Sequence, residues 1–267
     1  MLDKDKVFMK TLSSNEPFVD VILPNYNKSK FIEDAINSVI VQTYSNWHLY
    51  IIDDNSTDNS VEIINKFSSL ANATVVKLHK NKGPAFCRNY GMRISQSKYI
   101  AFIDSDDGWT NDKLEKQISF MEKNNFNFTY TDHTLFFDVN GQKKFEKKTN
   151  LRDYYDYDSF TKNSQINTTT MIITRSILGN HKFKKIRMHE DYLFKCEILK
   201  NNNMANKLND ITAFYRILDR SRSRKRLKSI YWLWYVNKNF NKLKFIRNII
   251  SIFFITINSI RKYGRIK

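Results

Sequence analysis

The chain predicts an α/β protein with a doubly wound mixed sheet at its core and a helical extension at its C-terminus. Three observations carry this reading. Short apolar runs alternate with amphipathic segments from residue 19 to residue 103, the pattern of strands joined by crossover helices. Carboxylates stand at the ends of two of those runs, as Asp53-Asp54 and as Asp104-Ser105-Asp106-Asp107. Basic charge is gathered at one end, since residues 220–267 hold fourteen Lys and Arg and no Asp or Glu.

Of the net charge of +17 over 267 residues, the first 219 residues carry only 30 basic against 27 acidic side chains. The body is near neutral, so any anionic partner is sought by the tail. A hydrophobic fraction of 41% with 14% aromatics excludes disorder, and six Gly and three Pro exclude collagen-like or Gly-rich linker segments. Cys87 and Cys196 fit no metal spacing and read as buried free thiols of a reducing compartment. Residues 1–17 are a mixed polar lead-in without a basic-then-apolar leader, so a cytoplasmic location is expected.

Residues 19–23 (Val-Asp-Val-Ile-Leu) form the first strand, stopped by Pro24. The helix that follows buries Phe31, Ala35, Ile36, Val39 and Ile40 at helical spacing. Residues 47–52 are the second strand and end at Asp53-Asp54; a capped helix through Val61, Ile64 and Leu70 follows. Residues 74–78 are the third strand, and Pro84 opens the next helix in the first-turn position that suits proline. Tyr99-Ile100-Ala101-Phe102-Ile103 is an uninterrupted apolar run, hence a strand buried on both faces. Further on, residues 112–123 predict a helix, residues 126–130 an aromatic strand and residues 168–174 another strand. Residues 136–158 resist assignment. Glu190-Asp191 starts a helix whose apolar face is Tyr192, Phe194, Ile198 and Leu199.

Ligands of open α/β sheets bind beyond the carboxyl ends of the strands. Pro24 with Tyr26, Asp53 with Asp54, and Asp104 with Asp106 all fall at that edge. Clustered carboxylates need a cation between them, and a divalent metal with a phosphate substrate supplies one. A solvated acidic turn is the alternative for Asp104–Asp107 taken alone, and a favourable helix-dipole placement is the alternative for Glu190-Asp191.

The order of motifs resembles the inverting family-two glycosyltransferases of the Rossmann-like GT-A fold. The matching segments are Val21-Ile22-Leu23-Pro24-Asn25-Tyr26-Asn27, Gln42-Thr43-Tyr44, Ile51-Ile52-Asp53-Asp54-Asn55-Ser56-Thr57-Asp58, Asn81-Lys82-Gly83-Pro84-Ala85 with Arg88-Asn89-Tyr90-Gly91, and the run from Tyr99 to Asp107. Looser matches are Glu190-Asp191 and Tyr215-Arg216 with Ser221 and Ser223. The resemblance implies a nucleotide-sugar half over residues 18–109, an acceptor-binding and catalytic half over 110–219, and a basic extension over 220–267. It implies that Asp54 accepts the uracil N3–H, that Pro24 and Tyr26 wall the base and ribose, and that Asp104 reaches the ribose hydroxyls. Asp106, with Asp104, would ligate Mn²⁺ or Mg²⁺, and Asp107 would serve as a cap. Arg88 would reach base or phosphate, or else remain a solvated helix residue. Asp191 matches the general base, with Glu190 orienting it or touching the acceptor. Arg216, Ser221 and Ser223 resemble a lid over the diphosphate. The chain departs from the family pattern at Leu218, where a His is common. With no Gln-x-x-Arg-Trp element after Asp191, a single sugar addition is expected, from a UDP-sugar to a bacterial glycan or lipid-linked acceptor.

In the tail, Leu233, Val236, Phe240, Leu243, Ile250, Phe254 and Ile257 recur at steps of three and four, broken only by Arg247 in that register, beside a dense cationic segment and Tyr231, Trp232 and Trp234. This combination predicts a helix lying on an anionic membrane surface, or else a stripe packed on the protein's own core. Nucleic acid is set aside, because no recognition fold is visible. Two other classes remain as alternatives, a receiver-type signalling domain and a non-catalytic nucleotide-sugar-like fold that docks partners or membrane. The third strand ends in Leu78-His79 rather than the Asp a receiver needs.

Overall fold

The structure is a computed structural model that describes residues 16–139, 142–217 and 222–263. The first half contains β1 (Val19–Asn25), α1 (Ile32–Ile40), β2 (Trp47–Asp53), α2 (Ser60–Asn65), β3 (Ala73–Lys77), α3 (Pro84–Ile94) and β4 (Tyr99–Phe102). Then follow β5 (Gly108–Trp109), α4 (Lys113–Asn124), β6 (Phe128–Val139), β7 (Gln142–Lys148), β8 (Tyr154–Tyr155), α5 (Tyr157–Thr161) and β9 (Ile172–Thr174). The chain continues through α6 (Arg175–Leu178), α7 (Glu190–Leu199), β10 (Ala205–Arg216), α8 (Arg222–Asn239) and α9 (Phe245–Tyr263).

One sheet runs through the molecule in the order β3-β2-β1-β4-β9-β6-β10-β5, with β7 added on β6 and β8 on β10. β3, β2, β1 and β4 are parallel, β9 is antiparallel to both its neighbours, and β10 lies parallel to β6. The mixed sheet expected from the sequence is therefore present, wound on both faces. Successive residues of a strand face opposite sides. Ile22, Ile100 and Phe102 pack toward α3, α5, α7 and α8, whereas Val21, Leu23 and Ala101 pack toward α1 and α4. Gly91 permits the close approach of α3 to β1, for a Cβ there would meet Ile22 Cγ2 at 2.6 Å. Asn25 pairs in register with Asp53, which levels the carboxyl ends of β1 and β2 and so makes one edge of them.

Three expectations need correction, and one unassigned region gains its structure. Residues 168–174 are not one strand: Thr168–Thr170 is a 3-10 turn of buried threonines, and only Ile172–Thr174 is extended. The unassigned region 136–158 holds the end of β6, the hairpin strand β7, and β8. The tail is two helices rather than one continuous stripe. They are broken near Lys242, whose φ is +56°, and Leu233 and Val236 are buried in the core. The aromatic strand expected to end at residue 130 continues to Val139.

Candidate active site

The acidic strand ends divide into structural and open groups. Asp53 is 1% exposed; it accepts from Asn25 Nδ2 at 2.8 Å, from Ser56 N at 3.0 Å and from Ser56 Oγ at 2.6 Å, closing the turn after β2. Asp54 is also buried, and its two carboxylate oxygens accept the backbone N–H groups of Lys82 and Gly83, each at 2.7 Å. It thereby holds the loop that leads into α3. Pro24 is buried in β1 and Tyr26 is exposed just beyond it.

The loop after β4 is pinned from the far half of the chain. Thr169 Oγ1 donates to Asp107 Oδ2 at 2.5 Å and accepts from Asp104 N at 3.2 Å, while Trp109 Nε1 donates to Thr169 O at 2.9 Å. The 3-10 turn that replaced the expected strand is thus what fixes the acidic loop. Asp107 is buried, and its carboxyl is pushed well above the ordinary range by burial and then by the charges of Asp104 and Asp106. It also accepts from Arg216 N at 3.0 Å. These contacts make Asp107 a brace for the loop.

Asp104 and Asp106 face outward, each already carrying a cation. Arg88 NH2 donates to Asp104 Oδ1 at 2.7 Å, and Lys28 Nζ donates to Asp106 Oδ2 at 2.6 Å. Among the described residues no group of three or more His, Cys, Asp and Glu side chains is arranged to hold a metal. Two hard oxygen donors on a strand-end loop nevertheless suit Mg²⁺ or Mn²⁺, which take one or two carboxylates and complete their shell with phosphate and water. The lysine ammonium marks where positive charge is favoured. Lys28 was not singled out in the sequence; nothing there signals which cation will reach a strand-end carboxylate 78 residues away.

Across the edge, Arg88, Asp104, Glu190 and Asp191 line one cavity of about 270 Å³, together with Tyr215 and the 164–168 loop. The Arg88 side chain is 7% exposed and reaches Glu190 Oε1 at 3.6 Å as well as Asp104. Two of its buried nitrogens, Nε and NH1, have no hydrogen-bond partner among the described residues, although buried polar atoms are normally satisfied. NH1 faces Glu190 at ion-pair distance, which leaves Nε as a buried donor without a partner among the described residues. The solvated alternative for Arg88 is therefore set aside.

Glu190 and Asp191 share a helix start but not an environment. Desolvation and then the charge of Asp191 raise Glu190, with Arg88 opposing. Desolvation alone would raise Asp191 too, but the Lys195 ammonium at 3.0 Å overrides it, helped by Arg88 and His189, and holds the carboxyl below its usual range. Adjacent carboxyls whose affinities for protons are driven apart are a recurrent feature of acid–base sites.

Arg216 takes a different place from the one expected of a lid residue. It is 5% exposed, its guanidinium lies 4.4 Å from the centroids of both Phe31 and Phe136, and Nε donates to Asp106 O at 2.9 Å. It pairs with Asp138 and with Asp34 as well. In this state it rivets β10 to α1 and β6 beside the acidic loop, outside the cavity lining. Asp54, Asp106, Pro24 and Tyr26 also lie outside that lining. Ser221 falls outside the described residues, as does Leu218, and Ser223 is placed as backbone of α8 only. Lys195 and the 164–168 loop were missed, although Lys195 stands one helical turn after Asp191 and that spacing was readable.

Residues 20–187 match the family model described as Glycosyl transferase family 2. The chain is 34% identical over 226 residues to the Escherichia coli UDP-Glc:alpha-D-GlcNAc-diphosphoundecaprenol beta-1,3-glucosyltransferase WfgD, covering 83% of this chain and 86% of that protein. It is 31% identical over 245 residues to WfaP of E. coli, which bears the same activity in its name, covering 92% and 95%. Among solved structures, S. aureus TarS 1-349 in complex with UDP-GlcNAc is similar with a TM-score of 0.67 at 19% identity, covering 94% of this chain and 76% of that one. A second structure of S. aureus TarS is spanned to 46% of its chain.

Proposed function

The chain belongs to glycosyl transferase family 2 and is a glycosyltransferase of the GT-A fold, and from that premise we propose that it moves a hexose or N-acetylhexosamine from a UDP-sugar, with inversion, onto a lipid-linked bacterial glycan. The observation that carries the reading is the single cavity in which Asp191 meets Arg88, Asp104 and Glu190. Inversion needs a carboxylate beside the acceptor hydroxyl, on the face away from the leaving group. Asp191 takes the hydroxyl proton as the oxygen bonds to the anomeric carbon, and the bond from that carbon to UDP breaks. Arg88, in the cavity wall, would offer its guanidinium to donor or diphosphate oxygens in exchange for its carboxylate partners. Asp106 with Asp104 would hold Mn²⁺ or Mg²⁺, which when bound supplies positive charge for the departing diphosphate. The lipid-diphosphate acceptors and UDP-glucose donors named for WfgD and WfaP favour the same substrate classes here.

The C-terminal pair of helices supports attachment to an anionic membrane surface on its cytoplasmic side. α9 is built inside out. Asn248 and Ser251 are 1% exposed and bond to Asn237 of α8 at 3.1 and 2.9 Å, whereas Phe245, Ile246, Ile249, Phe253 and Phe254 are exposed. Ile252 and Ile255 pack on the core beside these polar residues, but the remaining apolar face, flanked by Lys242, Lys244, Arg247 and Arg261, fits an interfacial helix. Among the described residues no helix is long and apolar enough to cross a membrane.

The test is UDP release from UDP-glucose and UDP-N-acetylglucosamine, with N-acetylglucosamine-diphosphate-lipid as acceptor and Mn²⁺ present. Turnover is expected with one donor, falling about 100-fold or more in Asp191→Asn and Asp106→Asn. Wild-type rates in both variants would refute the assigned chemistry.

A further inference from the structure

Lys195 lies on α7 one turn beyond Asp191, and its side chain is 1% exposed. Its Nζ donates to Asp191 Oδ2 at 3.0 Å, to the Ile166 carbonyl at 2.8 Å and to Thr168 Oγ1 at 3.0 Å. An ammonium has three donors, and all three are used. Ile166 and Thr168 belong to the loop that lines the cavity opposite Asp191. One buried charge therefore fixes the position of the carboxylate relative to the wall against which an acceptor would lie.

A lysine here is not what stability alone would select. Its neighbours on α7, Phe194, Cys196, Ile198 and Leu199, are fully or almost fully buried. Replacing a whole buried ion pair by hydrophobes of similar volume is often neutral or stabilising, so such a pair is weak evidence of a role in stability. The charge makes sense instead as a device acting on Asp191. Around that carboxylate stand Arg88 from α3, His189 just before α7, Glu190 from α7 itself, and Asp104 from the loop after β4. Arg88 is committed to Asp104 and Glu190, so Lys195 is the cation in hydrogen-bond contact with Asp191 among the described residues.

We propose that Lys195 is the positioning residue of the transfer reaction, clamping Asp191 to the 164–168 loop so that base and acceptor wall keep one spacing. This rests on Asp191 being the base. The clamp acts on the acceptor side and leaves the nucleotide side alone, since none of its three bonds reaches β1, β2 or α3.

The experiment compares Lys195→Met, Lys195→Arg and Thr168→Val with Asp191→Asn in the same assay of UDP release, alongside calorimetric UDP binding and a melting curve. Lys195→Met should keep UDP affinity within about twofold and remain folded, while kcat falls about 10- to 100-fold and acceptor KM rises. Its acid limb in the pH–rate profile should move upward, because the charge that favours ionised Asp191 is gone. Lys195→Arg should restore part of kcat, and Thr168→Val, which removes one anchor, should shift acceptor KM the same way by less. Thr168→Val also decides the matter if Lys195→Met does not fold. Inactive Asp191→Asn with unchanged kcat and acceptor KM in Lys195→Met or Thr168→Val would overturn the clamp alone. Active Asp191→Asn would overturn the base assignment and the clamp with it. A parallel fall in UDP affinity in the Lys195 and Thr168 variants would mark a general structural role and overturn the clamp.

Discussion

Arg88 holds the site together one side chain at a time. Its guanidinium neutralises Asp104 and lies near Glu190, and without it Asp104, Glu190 and Asp191 would line one cavity with Lys195 as their nearest cation. Arg88→Met should lower stability by roughly 1–3 kcal/mol, less than for a fully buried pair because both carboxylates keep some contact with solvent. UDP affinity should fall further than stability does, since the unpartnered Nε is lost too. Arg88→Lys keeps a charge but not a fork, and should bind UDP with intermediate strength. Denaturant melts and calorimetry on the three proteins check this, and equal UDP affinity in all of them would remove Arg88 from the nucleotide site. In the sequence, Arg88 could be a ligand residue or a solvated one with nothing to choose between them. Helical spacing says which face a residue is on, but not whether a carboxylate sixteen positions away will come to meet it.

Elements were legible where burial and hydrophobicity agree. β1 and β4 are apolar runs buried on both faces, and both were readable as strands. β6 was readable only at its start, as the aromatic run to residue 130, and β10 was not, because the sheet's second half buries polar side chains. Thr131 of β6 and Thr212 of β10 share a buried 2.8 Å hydrogen bond, and Lys207 is buried where it donates to Leu151 O at 2.6 Å and pairs with Asp132. Such positions erase the alternation that marks a strand. The same inversion at the C-terminus gives a test. α9 turns Asn248 and Ser251 inward and its phenylalanines outward, so the apolar stripe read from the sequence only partly follows the face that the helix leaves exposed. Replacing Ile249 and Phe253 by Asp should leave melting and UDP binding unchanged, since both side chains are exposed. It should abolish flotation with vesicles containing anionic lipid. Flotation by the double variant equal to that of the wild type would show that this face does not touch the bilayer.

At the scale of the whole molecule, buried ionisable groups dictate how stability follows pH. Lys113 is wholly buried between α4 and the Thr168–Thr170 turn, donating to Gln117 Oε1 at 2.5 Å and to Thr170 O at 3.2 Å, and burial brings its pKa down to about 7. Between that value and the ordinary lysine range, the unfolded chain binds a proton that the folded chain does not. Unfolding free energy must therefore rise with pH across this window, by on the order of 1.4 kcal/mol per pH unit from this one group. Above about pH 9 the sign reverses. Burial pushes the thiols of Cys87 and Cys196 and the phenol of Tyr155 up to about 12, and raises Tyr44, Tyr99, Tyr130 and Tyr192 as well. These groups ionise first in the unfolded chain and pull the equilibrium toward it. Stability should peak between about pH 8 and 9, above the usual optimum of globular proteins. Lys113→Met removes the neutral-to-alkaline rise while leaving the alkaline fall, so its advantage over the wild type should be greatest below pH 7 and shrink steadily as pH climbs toward the ordinary lysine range. Urea melts at half-unit steps from pH 6 to 10 measure both limbs. A wild-type curve that is flat from pH 7 to 9, or a Lys113→Met curve parallel to it, would mean that the Lys113 ammonium stays protonated in the folded core.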